Sequence, residues 1–446
     1  MAGLNTLLAK QLKRQRPKDT DGSGTFDVAL SSDNVLSKIK YVLKTGIDPL
    51  DEVLGGLPFG RIVELYGLES CGKTATCIRS LIKAQIGEVY ERTFDETTSK
   101  INLVKMDPKR IDVATVFIDN EQSVDEDAKL KIDGIELECI VARCDTVDQL
   151  FKISDITITK MAEKQAEENE LAKKEKRDPV IILTVIIVDT IAGTSSTQEM
   201  KQEWNKEDYQ RQPKMLRQGF RRMSREINRH NVLMICTNQV SENFSKVKSR
   251  VKFSVPQAGD FTTFGGRAIK YYASIRVFMY QIQENYKLSA SKFSQGFLIG
   301  FYTVKNRVVK PCRSARMVLL FEGGLSNDYS KFETLCFLGL VSYSKSTKCY
   351  SIKFSTAGVE TTTFSTLPDK KSAGSRLEDD DDRGGKRSND PEIENKRAWS
   401  QFYVEHQVDC DKLWDVAREL LFSDTIAADV EGADDDDDDL DLDDDK

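Results

Sequence analysis

Histidine is almost missing from this chain, with only His230 and His406 among 446 residues. Zinc sites draw on His and Cys at set spacings, and the nine cysteines include no Cys-x-x-Cys pair, so a zinc site is not expected. An odd cysteine count without regular spacing also argues against a disulfide framework and for a reducing compartment. No apolar run is long enough to cross a bilayer, and the N-terminal residues carry cations without a hydrophobic signal segment. Neither secretion nor membrane insertion is therefore expected. What is present is 39% apolar content in a long chain, enough for one large core and one small satellite domain.

The segment Gly67-Leu68-Glu69-Ser70-Cys71-Gly72-Lys73-Thr74 fits the phosphate-binding pattern Gly-x-x-x-x-Gly-Lys-Ser/Thr. It follows an apolar strand, Ile62-Val63-Glu64-Leu65-Tyr66, and precedes a helix-forming run, residues 75–85. The glycines thus fall where a tight turn presents bare amides to phosphate, with Ala75 opening the helix behind them. Lys73 would reach the terminal phosphates and Thr74 would offer its hydroxyl to Mg²⁺. The reading is a nucleoside triphosphate site. Cys71 lies at a helix N-terminus beside a lysine, which favours thiolate, so a reactive thiol is expected.

A second apolar run, Val185-Ile186-Ile187-Val188-Asp189-Thr190, has the continuous β-branched character of a central parallel strand, and Asp189 reads as the second Mg²⁺ anchor. A third, Thr115-Val116-Phe117-Ile118-Asp119, delivers Asn120 and Glu121 to the same sheet edge. In a doubly wound sheet those carboxyl ends meet at the ligand crevice. Glu121 is then either the base for an attacking water or a helix-capping carboxylate.

Order and local sequence together resemble the RecA recombinase family over most of residues 40–340, with phage UvsX-type recombinases nearest in architecture. Besides the segments above, the likeness rests on Thr45-Gly46-Ile47-Asp48, Leu54-Gly55-Gly56-Leu57-Pro58, Thr237-Asn238-Gln239, the run from Thr263 to Arg276, and Val304-Lys305-Asn306-Arg307. The resemblance implies an α/β fold: a RecA-type P-loop ATPase core with a mostly parallel twisted sheet, an N-terminal polymerisation helix and a small C-terminal domain. It implies ATP and Mg²⁺ as cofactors and makes Glu121 the catalytic glutamate. Gln239 becomes the γ-phosphate sensor. Lys305 and Arg307 take the places of two basic residues that reach a neighbour's ATP; the second is arginine here, which keeps the charge and adds a planar donor fork. Asp125 matches the family's adenine-contacting aspartate, while Ala128 stands where its stacking tyrosine would be.

Residues 214–229 place Lys214, Arg217, Arg221, Arg222, Arg225 and Arg229 within about 140° of a helix surface, with Met215, Leu216, Gly219, Phe220, Met223 and Ile227 opposite. Such a face either is simply solvated or positions phosphates without reading bases. By the resemblance, Lys214 and Arg221 match DNA-contacting positions, a first DNA loop lies near 199–212, and a second runs over 240–264. The second loop carries Lys246, Lys248, Arg250 and Lys252 with Phe244, Phe253 and Phe261 interleaved, a mixture suited to backbone and bases. It ends at Gly265-Gly266-Arg267, whose first two residues resemble a phosphate-contacting turn. Lys270 and Tyr271 resemble subunit-interface residues, with a core tyrosine as the alternative for Tyr271.

The organisation expected is an N-terminal helix and linker over 1–35, an ATPase and DNA-binding core over 36–325, and a small C-terminal domain over 326–422. That last part contains a low-complexity insertion, 370–396, and closes with a helix over 409–422. Charged insertions near 92–112 and 162–178 would decorate the surface, the second as solvated helix. Residues 424–446 hold thirteen acidic residues against one lysine, about −12, whereas the whole chain is −7, which leaves the remainder about +5. Composition makes this tail a disordered anionic competitor for a basic body, or a solubilising device. The resemblance implies an ATP-dependent strand-exchange protein that forms helical homo-oligomeric filaments on single-stranded DNA, also engages double-stranded DNA, and works in the cytoplasm of a bacterial or phage-infected cell. The alternatives are a hexameric helicase-like motor and a non-catalytic recombination mediator.

Overall fold

The computed structural model describes residues 39–95, 100–121, 131–132, 135–196, 211–242, 258, 261–288, 293–344, 349–352, 399 and 407–422. Outside them lie the N-terminal helix, Asp125 and Ala128, most of both DNA loops, the 370–396 insertion and the acidic tail.

The chain begins with β1 (Tyr41–Leu43), α1 (Asp48–Leu54), β2 (Leu57–Pro58), β3 (Arg61–Gly67), α2 (Lys73–Gln85), β4 (Val89–Asp95) and β5 (Lys100–Lys105). Its middle supplies β6 (Ile111–Asp119), the short pair β7 (Lys131–Ile132) and β8 (Ile135–Glu136), β9 (Ile140–Ala142), α3 (Val147–Glu175), β10 (Ile181–Asp189), α4 (Arg211–Arg229) and β11 (Val232–Asn238). There follow β12 (Val240–Glu242), β13 (Phe261–Thr263), α5 (Arg267–Tyr272), β14 (Ile275–Tyr286), β15 (Gly296–Asn306), β16 (Ser314–Leu320) and β17 (Gly324–Ser326). The remaining elements are α6 (Asn327–Phe337), β18 (Val341–Ser344), β19 (Cys349–Ile352) and α7 (Gln407–Leu421).

Nine strands form the main sheet in the order β17-β16-β15-β14-β3-β11-β10-β6-β9. From β14 to β9 every neighbouring pair is parallel, and β15 to β17 extend the sheet antiparallel. Successive side chains on a strand point to opposite faces, and the buried strand β10 uses both. Val185 and Ile187 join the core under α2, while Ile186 and Val188 join the core under α3 and α4. Each fully buried aliphatic side chain of this kind contributes about 1.5–3 kcal/mol. Helix α4 buries Leu216, Phe220, Met223 and Ile227 of the apolar side expected from its sequence, while Met215 and Gly219 are half-buried.

Several boundaries differ from the sequence reading: α2 starts at Lys73 rather than Ala75, and β10 at Ile181 rather than Val185. β6 starts at Ile111 rather than Thr115, because Ile111 pairs with Ile181 and is itself buried. The 92–112 stretch is therefore not a single surface insertion. Its first half is a β4–β5 ladder, Tyr90 opposite Lys105 through Asp95 opposite Lys100, that joins β1 and β2 in a four-stranded antiparallel sheet with Leu103 packed on the core. The 162–178 stretch continues α3, which opens with a reciprocal Thr146–Gln149 capping box. Toward the C-terminus, Phe332, Leu335, Trp399, Leu413 and Trp414 form a separate apolar cluster between α6 and α7.

Candidate nucleotide site and nucleic-acid face

Strand order brings four strand ends to one edge: β3 ends in the glycine-rich loop, β6 at Asp119, β10 at Asp189 and β11 at Asn238. Asp189 is level with Asp119, and Asn238 with Tyr66. The loop between β3 and α2 has no room for side chains at its glycines. A Cβ on Gly67 would stand 1.9 Å from the Met279 carbonyl oxygen, and one on Gly72, at φ 81°, would stand 2.8 Å from Ile299 Cδ1. Glu69 and Ser70 are exposed at its tip. Lys73 Nζ donates to the carbonyls of Gly67 (3.0 Å) and Leu68 (2.6 Å), so its charge is already turned over the loop.

Cys71 departs from expectation. It is 1% exposed, its Sγ donates to the Leu68 carbonyl at 2.9 Å, and burial pushes the thiol above its ordinary pKa despite the Lys73 charge. Desolvation of the anion outweighs dipole and lysine. The residue is a buried filler of the loop, and the reactive-thiol expectation is corrected.

Thr74 Oγ1 donates to Asp189 Oδ2 at 2.7 Å, joining the two expected metal anchors across 115 residues of sequence. The other oxygen, Asp189 Oδ1, accepts from Thr237 Oγ1 at 2.5 Å. Glu121 follows β6, with its amide donating to the Asp189 carbonyl, and its Oε1 accepts from Gln239 Nε2 at 2.6 Å. Thus Lys73, Thr74, Asp189, Glu121 and Gln239 share one edge. The cradle at the glycines, the inward lysine and the Thr–Asp pair fit a nucleoside triphosphate with a divalent cation. The antiparallel wall of β15 and β16 lies against the loop through Ile299 and Leu319 at Gly72, and its end carries an edge-to-face pair, Phe297 and the exposed Phe321, centroids 5.0 Å apart.

The adjoining face carries the expected cations. Lys214, Arg221 and Arg222 are exposed on α4, and Arg267 is exposed at the start of α5. Gly265 and Gly266 adopt positive φ (80° and 64°), and a Cβ on Gly265 would meet Leu216 Cδ1 at 2.7 Å, so the turn lies directly on α4. Phe261 is half-buried with its ring against Phe278, centroids 5.3 Å apart, and so is engaged in packing rather than presented to bases.

A buried network that sequence reading missed ties this turn to the sheet. Glu64 accepts from Arg276 Nε (2.5 Å) and from Asn238 Nδ2 (2.9 Å), and the same Asn238 amide donates to the Phe264 carbonyl (2.9 Å). A glutamate inside an apolar strand was the available signal, since a buried carboxylate needs a cationic or donor partner. Lys305 and Arg307 sit at the far end of β15. Arg307 is exposed, whereas Lys305 Nζ turns back on its own chain, donating to the carbonyls of Lys270 (2.7 Å) and Tyr271 (3.2 Å). Burial, then the charges of Arg307 and Arg276, lower its pKa to about 8. Tyr271 is exposed beside it.

Residues 169–326 match the model of the RecA N-terminal domain. The chain is similar to Protein RecA of Legionella pneumophila (strain Corby), 26% identical over 308 residues that cover 68% of this chain and 72% of that protein. It is similar also to Protein RecA of Nocardia farcinica (strain IFM 10152), 27% identical over 65% of this chain and 68% of the relative. A third, Protein RecA of Methylococcus capsulatus, is 27% identical over 64% and 67% respectively. A mostly parallel α/β sheet with its strand ends gathered at a glycine-rich loop defines a RecA-type core. With these matches, the chain is similar to RecA-family proteins in sequence and in the architecture of its core. Among the described residues no helix is long and apolar enough to cross a membrane.

Proposed function

We propose that this protein is an ATP-dependent DNA strand-exchange recombinase that assembles as a helical filament on single-stranded DNA. The observation that carries the reading is the Gln239–Glu121 hydrogen bond at the edge where Thr74 meets Asp189, with Asn238 next in the chain holding the end of the second DNA loop. One strand end thereby touches both the hydrolytic carboxylate and the nucleic-acid face.

The amides of the loop from Gly67 to Thr74, with Lys73, would hold the phosphates, and Thr74 and Asp189 would hold Mg²⁺. The chemistry that nucleotide supplies is transfer of its terminal phosphoryl group to water. Glu121 would orient that water and take its proton at Oε1, the oxygen that Gln239 Nε2 releases when it turns to phosphate. Gln239 reports the nucleotide state by leaving or keeping Glu121. Phe321 and Phe297 offer an apolar wall beside the loop on which a purine could lie. Exposed Lys214, Arg221, Arg222 and Arg267 answer DNA phosphates, and the Gly265-Gly266 turn presents bare amides to them. Lys305 and Arg307 act on the nucleotide of a neighbouring subunit.

The test is the ATPase rate with and without single-stranded DNA, combined with electron microscopy of the protein on that DNA. Stimulated hydrolysis on helical filaments is expected. Closed rings would replace the reading with a hexameric motor, and no hydrolysis in either condition would replace it with a non-catalytic mediator.

A further inference from the structure

We infer that Thr237 is a positioning residue for Asp189: its hydroxyl holds one carboxylate oxygen so that the other, beside Thr74, stays aimed at a divalent cation. The inference rests on the nucleotide–Mg²⁺ reading above and assigns a residue to it that the phosphate-loop motif does not contain.

A threonine hydroxyl has one proton to give. Thr237 Oγ1 has two acceptors in reach, Asp189 Oδ1 at 2.5 Å and the Val188 carbonyl at 3.4 Å. The shorter contact to a charged oxygen takes the proton. Asp189 therefore has one hydroxyl on each oxygen, Thr237 on Oδ1 and Thr74 on Oδ2. Two donors on opposite oxygens fix the plane of the carboxylate as well as its charge. Both Asp189 and Thr237 are buried, so water is not at hand to replace a missing donor. A second contact fastens the same two strand ends, Thr190 Oγ1 donating to the Thr237 carbonyl at 2.9 Å. Because Asn238 and Gln239 follow Thr237 directly, a shift of the carboxylate is felt at the residue that holds Glu121.

Valine has the shape of threonine and suits a strand, so Thr237→Val removes the hydroxyl with little change in packing. Asp189 then keeps one donor, Thr74, and its carboxylate plane is free to rotate toward it, which weakens a cation at Oδ2. Losing such an outer partner typically costs 10–100-fold in metal affinity.

The experiment titrates Mg²⁺ into the full-length chain at a fixed concentration of a fluorescent ATP analogue and reads nucleotide binding. Thr237→Val is expected to need about tenfold more Mg²⁺ for half-saturation, and Thr237→Ser about the same Mg²⁺ as the native chain because it keeps the donor. Thermal melting without metal checks that each variant is folded. Should Thr237→Val not fold, Thr237→Cys, a weak donor of similar size, is expected to fall between native and the tenfold shift. A valine variant that titrates like the native chain overturns the assignment, and so does a serine variant as impaired as valine, which would make packing the cause. A native chain that binds no Mg-nucleotide removes the nucleotide reading and this one with it; a native chain that binds, matched by the valine variant, removes only the role of Thr237.

Discussion

Gln239 Nε2 lies 2.6 Å from Glu121 Oε1, although β10 stands between the strands that carry them. The amide is a hydrogen-bond partner of the carboxylate. Under the proposed function, a phosphate oxygen that drew the amide away would free Glu121 for a water molecule at the same moment, so that sensing and base catalysis would compete for one hydrogen bond. Next in the chain, Asn238 donates to the Phe264 carbonyl, one residue before the glycine turn.

Separate variants should split these roles. Glu121→Gln keeps shape and nucleotide binding but removes the base, and hydrolysis is expected to fall about 10²–10⁴-fold. Gln239→Ala leaves the base in place and should abolish the strengthening of single-stranded DNA binding by ATP. Steady-state hydrolysis and DNA affinity with and without a non-hydrolysable ATP analogue measure the two. Native hydrolysis by Glu121→Gln would remove Glu121 from the chemistry.

Lys305 gives a pH dependence with a definite sign. Lysine ordinarily loses its proton near 10.4, but here burial and then Arg307 and Arg276 bring the pKa to about 8. The side chain is a cation below that value and neutral above it. A contact that needs its charge, such as one with a neighbour's phosphates, is therefore present at pH 7 and lost as pH rises through about 8. ATP-dependent self-association followed by light scattering should decline between pH 7.5 and 9 in the native chain, while Lys305→Arg should hold nearly flat because guanidinium stays protonated. Parallel profiles for the two proteins would deny Lys305 that role.

The parts of the fold legible in the sequence are those whose signal is local. Val185 to Asp189 reads as a buried strand because every residue before the aspartate is apolar, and α4 reads as a helix because its cations and its Leu216–Phe220–Met223–Ile227 stripe separate at helical spacing. What stayed hidden depends on strand order. Glu64 and Arg276 are 212 residues apart, and Thr237 and Asp189 meet only because β11 lies beside β10. No window of sequence contains those neighbours. Cys71 shows the same limit as an error: helix terminus and lysine are visible locally, but the wall of Met279 and Ile299 that closes over the loop is not.

That wall makes a chemical prediction. With Cys71 buried and its thiol pushed up, alkylation at neutral pH should be slow even without nucleotide, while the exposed Cys312 should label early. Mass spectrometry after a brief iodoacetamide pulse resolves the two sites. Cys71 labelled as fast as Cys312 would mean that the loop opens readily in solution.

The buried pair Glu64–Arg276 should be the costliest single point to break. Glu64 is fully buried, Arg276 nearly so, and the Arg276 guanidinium also lies 4.7 Å from the centre of the Tyr66 ring. Glu64→Leu strands a cation in the sheet and leaves the Asn238 amide with the Phe264 carbonyl as its remaining acceptor, for which about 3–5 kcal/mol of stability is expected to be lost. Arg276→Leu strands the carboxylate, with a loss of similar size. In the double variant both charges are gone together, so the loss should be well below the sum of the two, with a coupling of about 1–3 kcal/mol measured by urea unfolding of all four proteins. Additive losses within about 0.5 kcal/mol would mean that the two side chains are neighbours without being partners. Because Asn238 leans on Glu64, even a folded double variant should release the Gly265-Gly266 turn, and single-stranded DNA binding should respond less to ATP in that protein than in the native chain.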